Sequence, residues 1–234
     1  MRIYLIRHAD PDYENDDITQ AGHAEAAALA RRLASMPIKA IHTSPMGRAK
    51  ATARYTAEAM GLEPILEPWT RELSGMRMQD ERWGSLMAWD MPGEAVRPES
   101  DRWLRPGWST APPFSLPAIE ESAAAVAKAS DAFLASYGYE REGDRYRIVR
   151  SNRDSIALFA HGGFGLTWLS HLLGLPLPLV WSGFWLSPTS VTTILFDERS
   201  DRWASPRCLC VGDTSHLYEA GLPVRPRGIK ANFD

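Results

Sequence analysis

Three short apolar runs in this chain each end in residues that can hold or attack an anion. Ile3-Tyr4-Leu5-Ile6 is followed by Arg7 and His8. Lys39-Ala40-Ile41-His42-Thr43 leads into Ser44-Pro45-Met46-Gly47-Arg48. Ile156-Ala157-Leu158-Phe159-Ala160 delivers His161, then Gly162 and Gly163. Arginine offers paired donors that match phosphate geometry. A helix start adds free N–H groups and partial positive charge, and glycines let backbone approach a ligand closely. Taken singly, each residue has a plainer role: Arg48 as a solvated charge on a helix face, His161 as a buried histidine bonded to a carbonyl. If the three runs are neighbouring parallel strands, however, their carboxyl ends gather two arginines and two histidines in one crevice, where open α/β sheets receive ligands.

Such a site can do more than bind. A neutral imidazole nitrogen can attack phosphorus when its other nitrogen is held as a donor. The arginines and the second histidine would then hold and neutralise the phosphoryl oxygens as charge spreads in the transition state. A leaving alkoxide needs a proton, so a carboxylic acid is required at the rim. Glu72, in Trp69-Thr70-Arg71-Glu72-Leu73-Ser74-Gly75, is the first candidate; Asp10, Asp12 and Glu94 are alternatives.

These side chains need a frame. Thr19 is placed to cap a helix rich in Ala, Leu and Arg over 24–36, which Pro37 ends. Ser44 and Pro45 read as the cap and first position of a second helix, stopped by Gly61. Leu62 to Glu67 is a third strand candidate, and Ala118 to Tyr137 another helix. Ser155 to Ala160 is a buried strand followed by a helix from about Phe164 to Leu173. Repeated strand–helix units predict a three-layer α/β/α fold with a mostly parallel central sheet. Residues 190–197 and 203–211 read as an antiparallel pair at one sheet edge, and 138–154 as an exposed hairpin. Residues 68–117 keep no regular period and hold Trp69, Trp83, Trp89, Trp103 and Trp108. They read as an insertion or lid over the carboxyl ends of the strands, within a single domain over 1–234.

The bulk numbers fit one soluble enzyme-sized domain: 234 residues, 44% hydrophobic and 24% charged. A net charge of −3 gives no reason to expect nucleic acid or an acidic membrane as partner. No apolar run is long enough to span a bilayer, and Arg7, His8 and Asp10 interrupt the first apolar run before it resembles a signal peptide. Cys208 and Cys210 read as reduced thiols, which points to the cytoplasm and to neither a disulfide nor a metal framework. An exposed sheet edge or the Trp-rich face would offer a homodimer surface.

On these motifs the sequence resembles the histidine phosphatase superfamily, which includes cofactor-dependent phosphoglycerate mutases and many phosphatases. Arg7-His8-Ala9 is similar to its Arg-His-Gly signature, with Ala9 for the glycine. Thr19-Gln20-Ala21-Gly22 is similar to its Leu-Thr-x-x-Gly helix opening, with Ile18 for Leu. Thr43-Ser44-Pro45-Met46-Gly47-Arg48-Ala49-Lys50-Ala51-Thr52-Ala53 closely resembles Ser-Ser-Pro-x-x-Arg-Ala-x-x-Thr-Ala. Arg71-Glu72-Leu73-Ser74-Gly75 and Ala160-His161-Gly162-Gly163 resemble the acid segment and the second histidine motif. The resemblance implies that His8 becomes phosphohistidine, that Arg7, Arg48 and His161 bind the phosphoryl group with the Gly162 backbone helping, and that Glu72 is the proton donor. It implies no metal and no organic cofactor.

The mutases of this family carry an Asn that by count falls at Glu14, with Asn15 one residue out of register. Their Gly-Trp segment before the first helix and their Arg-Arg pair in the insertion have no counterpart here. The expectation is therefore a phosphatase acting on a small-molecule phosphomonoester, with tryptophan walls suited to a partly apolar one. A mutase-type phosphotransferase and a non-catalytic phospho-ligand binding module are the alternatives. His216 either approaches the site from the tail or anchors that tail, with anchoring the favoured reading.

Overall fold

The computed structural model describes residues 1–105, 107–110 and 112–228. Residues 106 and 111 of the expected insertion and 229–234 of the tail lie outside the described residues. In chain order the elements are β1 (Arg2–Arg7), β2 (Pro11–Asp12), β3 (Asp17–Ile18), α1 (Gln20–Ala34), β4 (Ile38–Thr43), α2 (Gly47–Met60) and β5 (Ile65–Leu66). The insertion contributes β6 (Arg77–Asp80), β7 (Gly84–Met87) and α3 (Gly93–Val96). Then follow α4 (Pro117–Ser136), β8 (Tyr139–Glu142), β9 (Arg145–Ile148), β10 (Ser155–Ala160), α5 (Gly162–Leu173), α6 (Leu177–Gly183), β11 (Val191–Glu198), β12 (Trp203–Asp213) and α7 (Ser215–Glu219).

Eight strands form one sheet in the order β5-β4-β10-β1-β11-β12-β9-β8. The strands β4, β10 and β1 are adjacent and parallel, so the three runs do end side by side. β1 is buried on both faces, as a central parallel strand must be. Ile3 and Leu5 pack with Phe133, Phe164 and Trp168 beneath α4 and α5. Tyr4 and Ile6 pack with Leu29 and Leu33 of α1 and Ala53 of α2 on the other face. This is the expected α/β/α sandwich.

Helix ends follow local chemistry. Thr19 caps α1, its hydroxyl accepting the Gly22 N–H at 3.1 Å. Gly61 ends α2 with a φ of 64°, a left-handed position that suits glycine. The start of α2 differs from expectation. It begins at Gly47, two residues beyond Pro45, because the Asp16 carboxylate accepts the Gly47 N–H at 2.7 Å. Ser44 is no longer its cap; its hydroxyl pairs with His161.

Two other elements differ. The third strand shrinks to Ile65 and Leu66 between Pro64 and the turn that begins at Pro68. The 138–154 hairpin is not a free excursion: β9 pairs with β12, so the hairpin forms the outer antiparallel edge and the 190–213 pair lies inside it. The cause is Tyr139 and Tyr146, both fully buried against Phe196, with ring centroids 4.9 and 5.2 Å away. The insertion shares its core with the body: Met76, Leu86, Trp103 and Phe114 pack with Leu166 of α5 and Trp181 of α6. Trp69 instead joins the main core beside Phe133 and Trp168.

Phe196→Ala should therefore cost about 3–5 kcal/mol and expose the 139–148 amides first. Urea unfolding combined with hydrogen exchange reads both; unchanged protection in the hairpin would contradict this packing.

Candidate active site

Three adjacent strands hold their exits together by backbone bonds. The His8 N–H donates to the Ala160 carbonyl and the Ser44 N–H to the Phe159 carbonyl, both at 2.9 Å. Beyond them lies a cavity of about 530 Å³ lined by Arg7, His8, Arg48, Glu72 and Gly162. Five of the six expected site residues thus share one wall. His161 lies behind it, fully buried, with its ring centroid 5.2 Å from that of His8.

The His8 ring is fixed by its own neighbour. Nδ1 lies 2.8 Å from the Ala9 carbonyl, which can only accept, so Nδ1 carries the proton. Nε2 is then the unprotonated nitrogen, and its lone pair accepts the Arg48 Nε–H at 3.3 Å. Burial, then Arg7 and also Arg48, drive the His8 pKa well below the usual histidine value, so the ring is neutral. Burial, then the neighbouring His8 and after it Arg48 and Arg7, likewise drive the His161 pKa well below the usual value. Ala9 is well accommodated. Among described non-glycine residues only Asp16 and Thr189 have positive φ, and the Ala9 N–H donates to Thr52 Oγ1 at 2.9 Å.

Arg7 is held by the Leu186 carbonyl at 2.5 Å and by the face of Trp185 at 5.4 Å. Arg7 Nε and His161 Nδ1 are buried without a partner in the chain, two donor-capable atoms beside His8. Gly162 lies against Arg7: a Cβ there would sit 3.5 Å from Nε. Arg48 is oriented by Asp16 at 2.7 Å, and Asp16 also takes the first N–H of α2. That helix end is therefore already neutralised and is not the anion site its sequence suggested.

Glu72 reaches the site by capping another helix. Its carboxylate accepts the Gly163 N–H at 3.1 Å and the Phe164 N–H at 2.7 Å. Burial raises its pKa, against the lowering effect of those bonds. The other carboxyl candidates are engaged elsewhere. Asp10 is buried beneath Arg227 and Thr19, whose bonds outweigh burial and hold its pKa below the usual range. Asp12 turns back on Asn15 at 2.8 Å, and Glu94 pairs with Arg82 at 3.1 Å on the surface.

Several wall residues were not singled out from sequence: Tyr13, Asp90, Trp185 and Arg227. Of the insertion's arginines only Arg77 lines the cavity. Four arginines and two carboxylates on one wall favour a dianionic group. Among the described residues no three His, Cys, Asp or Glu side chains gather as a metal site.

A family profile described as histidine phosphatase superfamily (branch 1) matches residues 3–207. The chain belongs to this superfamily. A probable phosphoglycerate mutase from Photorhabdus laumondii is 29% identical over 115 residues, 41% of this chain and 54% of that protein. This chain thus spans about half the length of the relatives of that name. A protein from Hydrogenobacter thermophilus provisionally named phosphoserine phosphatase 2 is 25% identical over 77% of this chain and 83% of its own. In structure, a phosphoserine phosphatase variant from Entamoeba histolytica, bound to phosphoserine, matches with a TM-score of 0.61 at 20% identity, over 92% of this chain and 98% of that one. A mycobacterial glucosyl-3-phosphoglycerate phosphatase matches at 0.59 and 21%, over 90% and 98%. These likenesses establish the fold.

His42 and His216 stand outside the superfamily site. His42 bonds Glu67 at 2.8 Å and the Tyr137 hydroxyl at 2.7 Å; Glu67 also accepts the Trp69 indole N–H, which fixes the turn leading to Glu72. His216 bonds the Thr189 hydroxyl at 3.1 Å, and the Thr189 N–H donates to the Arg7 carbonyl at 3.1 Å. His216 thus ties α7 to the loop beneath the β1 exit. Burial, then Arg32, lower its pKa to about 4. In the window from about 6.5 down to about 4, the unfolded chain binds a proton there that the folded chain does not, so stability falls as pH falls. Removing the group should lessen that loss. His216→Gln should shrink the drop in urea midpoint between pH 7 and mildly acid pH; an identical drop would refute the buried neutral state.

Proposed function

We propose that this chain hydrolyses small phosphate monoesters through a phosphohistidine on His8. The observation that carries the reading is the tautomer lock: Nδ1 bonded to the Ala9 carbonyl, with Nε2 left as lone pair in a cavity that also holds Glu72. In the first step Nε2 attacks phosphorus while the ester P–O bond breaks. Glu72 gives its proton to the departing alkoxide. In the second, the Glu72 carboxylate takes a proton from water as that water attacks the phosphohistidine, releasing phosphate and restoring His8. Arg7 and Arg48 hold the phosphoryl oxygens. His161, through its unpartnered Nδ1, and the Gly162 backbone complete the cradle.

Residues 68–117 serve as the lid of this single domain: they supply Glu72, Arg77, Trp89 and Asp90 to the cavity. A cytoplasmic location belongs to the same reading, since Cys208 and Cys210 are both free. Among the described residues no helix is long and apolar enough to cross a membrane.

A mutase reading draws on the name of the Photorhabdus relative. Against it, Asn15 is spent on Asp12. Phosphate release and phosphoglycerate interconversion, assayed side by side, separate the two; interconversion faster than release would reverse the assignment.

His8→Ala should lower kcat/KM by about 10³-fold or more and abolish the acid-labile phosphoenzyme. Equal rates would remove His8 as nucleophile. Glu72→Gln should cost about 10²–10⁴-fold on alkyl phosphates and much less on p-nitrophenyl phosphate, whose leaving group needs no proton. The pH profile follows in sign. The first step needs neutral His8, whose pKa is depressed, and protonated Glu72, whose pKa is raised. Activity should therefore hold into mildly acid pH and decline on the alkaline side, and Glu72→Gln should flatten the alkaline limb.

A further inference from the structure

A second cavity of about 570 Å³ opens beside the first. Its walls include Trp83, Trp89, Trp181, Phe184 and Trp185. Two of these rings, Trp89 and Trp185, together with Asp90 and Gly228, line both cavities, so the two adjoin at these residues. We propose that this aromatic chamber receives the organic part of the substrate, and that preferred substrates are phosphate monoesters of alcohols bearing a flat apolar group. This rests on the phosphatase reading above.

Position supports it first. Glu72 marks the side from which the leaving oxygen departs, because it gives that oxygen its proton. Glu72 is fixed to the first turn of α5 through Gly163 and Phe164. The Trp89 ring lies flat on the same turn: a Cβ on Gly163 would fall 2.5 Å from it. An alcohol leaving past Glu72 therefore meets Trp89, and Trp89 is a wall of the chamber.

Chemistry supports it second. Four indoles and a phenyl ring favour stacking with a planar apolar group, and the volume lies in the range of small-molecule sites. Among the described residues the charged side chains lining the chamber are Asp90 and Glu94, with no arginine or lysine. A substrate carboxylate is thus disfavoured here, which sets this chain apart from a phosphoglycerate or phosphoserine enzyme. Arg82 pairs with Glu94 and covers the Trp83 ring at 4.8 Å, and Arg97 lies behind the wall glycines, its Nε 3.2 Å from where a Cβ on Gly93 would sit.

The test matches leaving-group basicity by using primary alcohols only. Ethyl, benzyl and 2-naphthylmethyl phosphate are compared with 3-phosphoglycerate. Along the series kcat/KM should rise by about tenfold or more, carried mainly by KM. Trp83→Ala and the gentler Phe184→Leu should bring the naphthylmethyl-to-ethyl ratio towards one, while Trp203→Ala, on β12 beside the outer hairpin and outside both cavities, should keep it. A flat series, or 3-phosphoglycerate as the best substrate, overturns the proposal. Binding of (2-naphthylmethyl)phosphonate against ethylphosphonate by calorimetry needs no turnover. If no ester releases phosphate, the phosphatase reading fails; a phosphonate preference lost in Trp83→Ala then still upholds the chamber, and equal affinities reject it.

Discussion

The site depends on keeping one imidazole uncharged between two guanidinium groups. Arg7 and Arg48 both act to lower the His8 pKa, and burial acts in the same direction. A protonated His8 would be a third buried cation with no carboxylate beside it, a costly state. The same two arginines that would bind a phosphoryl dianion therefore also preserve the lone pair that would attack it. The Ala9 carbonyl completes the arrangement by choosing which nitrogen is free. Everything else in the fold serves this cluster: β4, β10 and β1 must be parallel neighbours for Ser44, His161 and His8 to meet.

Two helix N-termini converge here, and each is occupied by a protein carboxylate. Asp16 takes that of α2 and Glu72 that of α5. The helix dipoles are thus used to place carboxylates rather than to bind ligand directly. For Asp16 this means orienting Arg48. For Glu72 it produces opposed tendencies: backbone donors favour the carboxylate, whereas burial favours the acid, and burial prevails. The raised pKa favours the acid form that the proposed proton donor would need in the first step.

Much of this was legible in sequence where the signal is local. A strand buried on both faces must be an unbroken apolar run, so β1 and β10 announced themselves and exposed their exits at Arg7 and His161. Gly61 and Thr19 acted as the stop and cap that their backbone preferences predict. The misread parts turn on partners distant in sequence. Ser44 lost its capping role because Asp16, on another loop, reached Gly47 first. The 139–148 hairpin joined the sheet because Tyr139 and Tyr146 found Phe196. Tyr13, Trp185 and Arg227 belong to no short motif, and nothing in the local pattern marks them as walls.

Trp185 shows how closely binding and specificity are joined. One face of its ring lies over the Arg7 guanidinium, and the ring also lines the aromatic chamber. Gly228, with a φ of 102°, lies so close to this ring that a Cβ would fall 2.6 Å from it. The tail carrying Gly228 is tied down by Arg227 on buried Asp10 and by Arg225 on Glu25 at 3.5 Å. Arg7, the indole, the glycine and the tail ion pairs therefore form one continuous stack. A change that loosens the tail must relax the indole, and with it both the orientation of Arg7 and the shape of the chamber. The guanidinium that would hold phosphate and the chamber that would receive the alcohol are thus coupled through one ring.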